Sequence, residues 1–97
     1  MTLAESQAAI AAECDALKET LLAKNLEYGN ASHEPLDILL APDPATFIRV
    51  RIEDKLSRLR ALRKMPGYTP KFAEDTLLDV AGYIVLLRAY EKWAARE

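Results

Sequence analysis

Apolar residues recur at spacings of three and four along three stretches of this chain, the pattern of helices that each bury one face. In the first stretch, Ile10, Cys14, Leu17, Leu21, Lys24 and Tyr28 share a face of a helix expected from about Leu3 to Tyr28. Gly29-Asn30 supplies its stop. In the second, Asp43 stands where a cap belongs and Pro44 suits the first helical position. Ile48, Ile52, Leu56, Leu59 and Arg63 mark the inner face of that helix, which reaches about Lys64 before Met65-Pro66-Gly67 ends it. Arg60, Arg63 and Lys64 crowd its end, where exposed carbonyls favour cations. Thr69-Pro70 repeats the cap-plus-proline signal, and a third helix is expected from about Pro70 to Arg96. Its middle, from Leu77 through Leu87, is apolar nearly all the way round, which calls for burial on most sides in a bundle or a subunit interface. Residues 30–42 read as a loop, with Leu36, Ile38, Leu39 and Leu40 tucked against the core.

The pattern predicts an all-α bundle of three long helices, with room for a short fourth, in a single domain over residues 1–97. Composition adds one element to this picture. The apolar fraction is 51% in 97 residues, whereas a domain of this size buries only about 60–65% of its unfolded surface. More apolar surface than one thin core can hide predicts oligomerisation. The net charge of −2 argues against general nucleic-acid binding, which uses a basic excess. A single cysteine, Cys14, allows no internal disulfide and suits a reducing cytoplasm. Met1 to Ala12 lacks the basic start and apolar run of a signal peptide. The stretch Leu77–Leu87 is too short to span a bilayer and holds Asp79.

Asp79 is the residue that fits simple packing least. It lies among Leu77, Leu78, Val80 and Ala81, and a lone buried carboxylate costs several kcal/mol unless paired or bound to a metal. Asp75 is one turn earlier on the same face, so a hard cation such as Mg²⁺ or Mn²⁺ between them is one reading. The other is a solvent-facing stripe of Asp75, Asp79, Tyr83, Leu86 and Tyr90 at the bundle edge. Glu53 and Asp54 form a second acidic pair whose members point about 100° apart. Glu53 lies at the margin of the inner face and Asp54 further out, so Glu53 is the better inward ligand; a solvated surface among Arg49, Arg51, Lys55 and Arg58 is the bland alternative. Arg51, Lys55 and Arg58 share one face that either holds a polyphosphate or pairs with acids in solvent. Lys24, on an otherwise apolar stripe, either snorkels or binds phosphate. His33 is the only histidine, and no Cys/His metal set, nucleophile motif or Gly-rich phosphate loop is present. What remains open to an enzyme is metal-plus-carboxylate chemistry.

Three blocks, Lys24-Asn25-Leu26-Glu27-Tyr28-Gly29-Asn30, Arg51-Ile52-Glu53-Asp54-Lys55-Leu56-Ser57-Arg58 and Glu74-Asp75-Thr76-Leu77-Leu78-Asp79-Val80-Ala81-Gly82-Tyr83, in this order, resemble the all-α nucleoside-triphosphate pyrophosphohydrolase superfamily of MazG-like enzymes and dimeric dUTPases. The likeness runs from about Lys24 to Tyr90 and is closest to a small phage-associated branch, a nucleotide-modification-associated domain. It implies a four-helix fold completed by a homodimer or homotetramer. It also implies Mg²⁺-dependent cleavage, with Mn²⁺ as an alternative, of a (d)NTP between the α and β phosphates, giving a nucleoside monophosphate and pyrophosphate. Carried over residue by residue, Glu53, Asp54, Asp75 and Asp79 would be the metal ligands, with Glu74 beside them, and Glu53 and Asp79 the catalytic acids. Lys24, Glu27, Tyr28, Lys55, Arg58 and Tyr83 would border the substrate. Nucleotide-pool control in the cytoplasm, a host's cytoplasm for a phage protein, is the implied role.

The chain departs from that family's Glu-x-x-Glu and Glu-x-x-Asp spacing. Val50 and Leu56 stand three residues either side of Glu53, and Thr76 stands three before Asp79. The altered spacing keeps two other readings in play: a helical module that binds a nucleotide, or a partner enzyme of DNA modification, without cleaving it, and a structural adaptor with solvated acids.

Overall fold

The computed structural model describes residues 1–34 and 43–96. Three α-helices carry the chain: α1 (Leu3–Glu27), α2 (Pro44–Arg63) and α3 (Glu74–Ala94). Two 3₁₀ turns, Ala31–His33 and Pro70–Ala73, lie between them. Among the described residues no strand is present, so the all-α expectation holds. The tucking of Leu36, Ile38, Leu39 and Leu40 falls outside the described residues. By its contacts the chain divides into two compact units, Met1–Ala31 and Ser32–Glu97.

The first unit is α1 and its C-terminal turn. Thr2 and Glu5 close a reciprocal capping box: the Glu5 backbone N–H donates to the Thr2 hydroxyl at 3.1 Å, and the Thr2 N–H donates to Glu5 Oε2 at 3.0 Å. Threonine followed three residues on by glutamate is a legible start signal that the apolar periodicity alone does not use. Gly29 and Asn30 stop the helix as expected, both at positive φ (61° and 67°). The Asn30 N–H reaches back to the Asn25 carbonyl at 3.0 Å, satisfying an end-of-helix acceptor. No α1 residue is fully buried, and Ile10 of its apolar stripe is 58% exposed.

The second unit is an antiparallel hairpin of α2 and α3. Its cross-links fix the direction: Arg49 bonds Glu91, Arg51 bonds Tyr83 and Lys55 pairs with Asp79, so α2 rises as α3 descends. Asp43 caps α2 by accepting from the Thr46 N–H at 2.8 Å, with Pro44 in the first turn. Gly67, at φ 74°, turns the chain after Arg63. Thr69 does not cap with its side chain. Its carbonyl instead accepts from the Phe72 N–H at 3.0 Å, so the proline turn is 3₁₀ and the α-helix begins only at Glu74.

The packed faces differ from those the periodicity predicts. On α2, Ile48 is fully buried, and Arg51, Ile52, Lys55, Leu59 and Leu62 are half-buried, while Leu56 and Arg63 are exposed. The inner face is rotated by roughly 50° toward the cations. On α3 the correction is larger. Thr76 and Gly82 are buried and Asp79, Tyr83, Leu86 and Tyr90 half-buried. Leu77, Leu78, Ile84 and Val85 are 56, 47, 43 and 45% exposed. Of the stripe that the sequence left open to solvent, Asp79 and Tyr83 meet α2, Leu86 and Tyr90 meet His33 and Asp75 is exposed, while the apolar middle of the helix is not buried on most sides.

Candidate functional site

Two cations on the inner face of α2 reach two partners on α3. Position 55 is in line with Ile48, Ile52, Leu59 and Leu62, so the Lys55 stem packs among apolar neighbours and its ammonium must find an anion. It meets Asp79 Oδ2 at 3.2 Å, the Lys55 side chain 20% exposed and that of Asp79 41%. Asp79 is therefore neither lone nor fully buried, and the desolvation cost expected of it is small.

Arg51, one turn earlier, is held more firmly. Its Nη2 and Nε both donate to the Tyr83 hydroxyl, at 3.1 and 3.3 Å. Its guanidinium carbon lies 5.6 Å from the Tyr83 ring centre and 6.0 Å from that of Phe47, close enough for cation–π attraction. The hydrogen bond to Tyr83 raises the Arg51 pKa above its ordinary value; Coulombic interaction with Tyr83 adds to this, burial opposes it, and the charges of Asp54 and Asp79 add to it further. Asp54 and Asp79 thus act on the same guanidinium. Asp54, the residue expected to lie further out, is the α2 carboxylate that Arg51 feels.

The other candidates are placed less centrally. Glu53, Asp75 and Glu74 are exposed, and among the described residues no three acidic, histidine or cysteine side chains converge on one point. Arg58 is exposed at the edge of the cationic stripe. Lys24, Glu27 and Tyr28 belong to the first unit, in the last turn of α1 and at its cap. The Lys24 carbonyl accepts the Tyr28 N–H at 2.9 Å, and the Tyr28 ring is 63% exposed. Periodicity missed the Arg51–Tyr83 bond and the part of His33. His33 Nε2 lies 2.9 Å from the Leu86 carbonyl, and the ring stacks on Tyr90 at 5.9 Å, fastening the turn before α2 onto α3. Arg51 and Tyr83 are 32 positions apart, and no local pattern joins them.

Chemically, the α2–α3 face offers two fixed cations and two carboxylates within one electrostatic neighbourhood, bordered by an aromatic ring. Such a face suits a phosphorylated ligand better than an apolar one. No described helix is long and apolar enough to cross a membrane. No family model matches the chain, and neither a curated protein nor a solved structure matches it significantly.

Proposed function

We propose that this chain is a Mg²⁺-dependent (d)NTP pyrophosphohydrolase that acts as a homo-oligomer in the cytoplasm. The observation that carries the reading is the juxtaposition of Arg51 and Lys55 on α2 with Asp79 and Tyr83 on α3, Asp54 close by. The three blocks of family likeness add to it. The oligomer accounts for Leu78, Ile84 and Val85, an apolar surface on the far side of α3 that a lone hairpin leaves in water.

Asp79 is engaged by Lys55, and among the described residues no three acidic, histidine or cysteine side chains converge, so the ion would rest on few protein donors. Mg²⁺ usually takes one or two carboxylates and fills its other positions with substrate phosphate and water. Asp79 and Asp54 would hold it; Glu53 and Asp75 are exposed and do not converge with them. Bound there, it supplies neutralisation of charge on the phosphate oxygens. The chain's own groups do the rest. Arg51, its guanidinium braced by Tyr83 and Phe47, fixes the polyphosphate. Lys55 leaves Asp79 for the incoming phosphate, and Arg58 adds charge. Asp79 or Glu53 orients the attacking water and takes its proton. The new bond forms to the α-phosphorus, the bond from it to the bridging oxygen breaks, and pyrophosphate leaves. Tyr83 offers a ring to the base.

A second reading, a module that binds a nucleotide or a partner without cleaving it, is favoured by one observation. Asp79 already has its cation in Lys55, at 3.2 Å. Pyrophosphate release from the standard NTPs and dNTPs, with Mg²⁺, with Mn²⁺ and with chelator, separates the two. Metal-dependent release from a few nucleotides, reduced by about 10²-fold or more in Asp79→Ala, is the result expected. Nucleotide binding without release selects the module, and full turnover by Asp79→Ala overturns the mechanism.

A further inference from the structure

The end of the hairpin away from the Arg49–Glu91 contact carries an open groove of about 790 Å³. Leu56 and Leu59 of α2 and Leu77 of α3 form its apolar walls, and Arg60, Arg63 and Lys64 stand on it from the last turn of α2. Tyr68 closes one side, held edge-on against Phe72 with ring centres 6.1 Å apart. Among the described residues no carboxylate lines it.

The ordinary role of cations at a helix C-terminus is to answer its free carbonyls. Here the backbone does part of that work: the Lys64 N–H donates to the Ala61 carbonyl at 3.2 Å and the Met65 N–H to that of Leu62 at 3.1 Å. Among the described residues, no carboxylate pairs with Arg60, Arg63 or Lys64, and none of the three side chains bonds a carbonyl. Three like charges stand unpaired over an apolar floor. A ligand with negative charge at one end and apolar surface at the other would complement both.

We infer that this groove binds a small amphiphilic anion: a phosphate, sulfonate or carboxylate head on an aromatic or aliphatic body. The head lies against Arg60, Arg63 and Lys64, and the body lies on Leu56, Leu59 and Leu77 against the Tyr68 ring. The volume falls in the range of small-molecule pockets, about 300–1,000 Å³. The lining is far smaller than the roughly 20–30 residues a side of a stable protein interface, so a small molecule is a better occupant than a folded partner. The inference does not depend on the proposed hydrolase, because none of these residues belongs to the Arg51–Asp79 cluster.

The test titrates the whole chain with 1-naphthyl phosphate, 1-naphthol and inorganic phosphate by calorimetry, in the presence of chelator. The expected result is saturable binding of naphthyl phosphate, with each half-ligand weaker by about tenfold or more. The double variant Arg60→Gln/Arg63→Gln weakens naphthyl phosphate by about tenfold or more while helix content stays unchanged. Arg49→Gln, which removes one exposed cation at the other end of the hairpin, leaves that affinity unmoved, which shows that the loss is not a general effect of charge. Equal binding by the Arg60→Gln/Arg63→Gln variant, or equal affinity for naphthol, overturns the inference. So does no binding at all, accompanied by a change of oligomeric state in the same variant, which would assign the groove to contact between copies.

Discussion

The two sides of α3 invert the usual arrangement. The side against α2 carries Asp79, Tyr83 and the buried Thr76, tied to Lys55 and Arg51 by polar contacts. The opposite side carries Leu78, Ile84 and Val85, each more than two-fifths exposed. A hairpin that folded for its own sake would turn the apolar side inward, since each buried aliphatic side chain is worth about 1.5–3 kcal/mol. A polar stripe facing α2 is what the proposed reading expects, in which the inner stripe is a site and the outer stripe a contact between copies.

The sharpest way to test the division is to remove what little apolar anchor the inner side has. Ile48 is 0% exposed, the largest fully buried side chain. Ile48→Ala should cost about 2–5 kcal/mol in chemical denaturation, enough to unfold a domain of marginal stability. A loss under about 1 kcal/mol would mean that the hairpin is held from its outer side.

The next test attacks that outer side. Leu78→Lys with Val85→Lys should leave the hairpin's helix content intact and shift the chain to monomers in sedimentation, because a charge placed in an apolar contact is strongly disfavoured. If both sides of α3 are simply solvent, the substitutions change stability by no more than about 0.5 kcal/mol and sedimentation not at all.

The inversion also explains which parts were legible in the sequence. Helix ends were legible because their signals are local: Asp43 before Pro44, Gly29-Asn30, and Pro66-Gly67 all act where they stand. Thr69 failed because a cap depends on the geometry of the following turn, and Pro70 leads into a 3₁₀ turn. Which face packs was not legible. Periodicity assumes that apolar residues meet apolar residues, so it set Leu56 inside and Lys55 outside. A salt bridge and a hydrogen bond, made across 24 and 32 positions of sequence, decided otherwise. Of the candidate site, Lys55, Asp79 and Tyr83 lie on the α2–α3 face, Lys55 paired with Asp79 and Tyr83 with Arg51. Arg51 was visible only as one member of a cationic stripe, and its bracing by Tyr83 and Phe47 is a tertiary fact.

A finer probe of the inner side is Tyr83→Phe, which keeps the ring and deletes the hydroxyl. Arg51 loses its acceptor, so stability should fall by about 0.5–1.5 kcal/mol. The sign of any pH effect follows from the raised Arg51 pKa. A cation whose folded-state pKa is raised contributes stability below its unfolded pKa and loses that contribution as pH rises through the folded one. For Arg51 both lie far into the alkaline range, so the Tyr83→Phe penalty should be flat through neutral pH and in mild acid. A penalty that varies between about pH 5 and pH 8 would mean that the loss does not come through Arg51.

The smallest effect is expected at the far end of the hairpin. Arg49 Nη2 and Glu91 Oε2 are 2.8 Å apart, but their side chains are 55% and 47% exposed. At that exposure water and salt screen most of the attraction, and ordering two long side chains costs nearly what the contact gains. A double-mutant cycle of Arg49→Ala and Glu91→Ala should give a coupling of about 0.5 kcal/mol or less, shrinking further at high salt. The same cycle on Lys55 and Asp79, whose Lys side chain is only 20% exposed, should give the larger coupling of the two. If the order reverses, the polar stripe is no better enclosed than the hairpin's open end, and the case for a built site between α2 and α3 loses its physical basis.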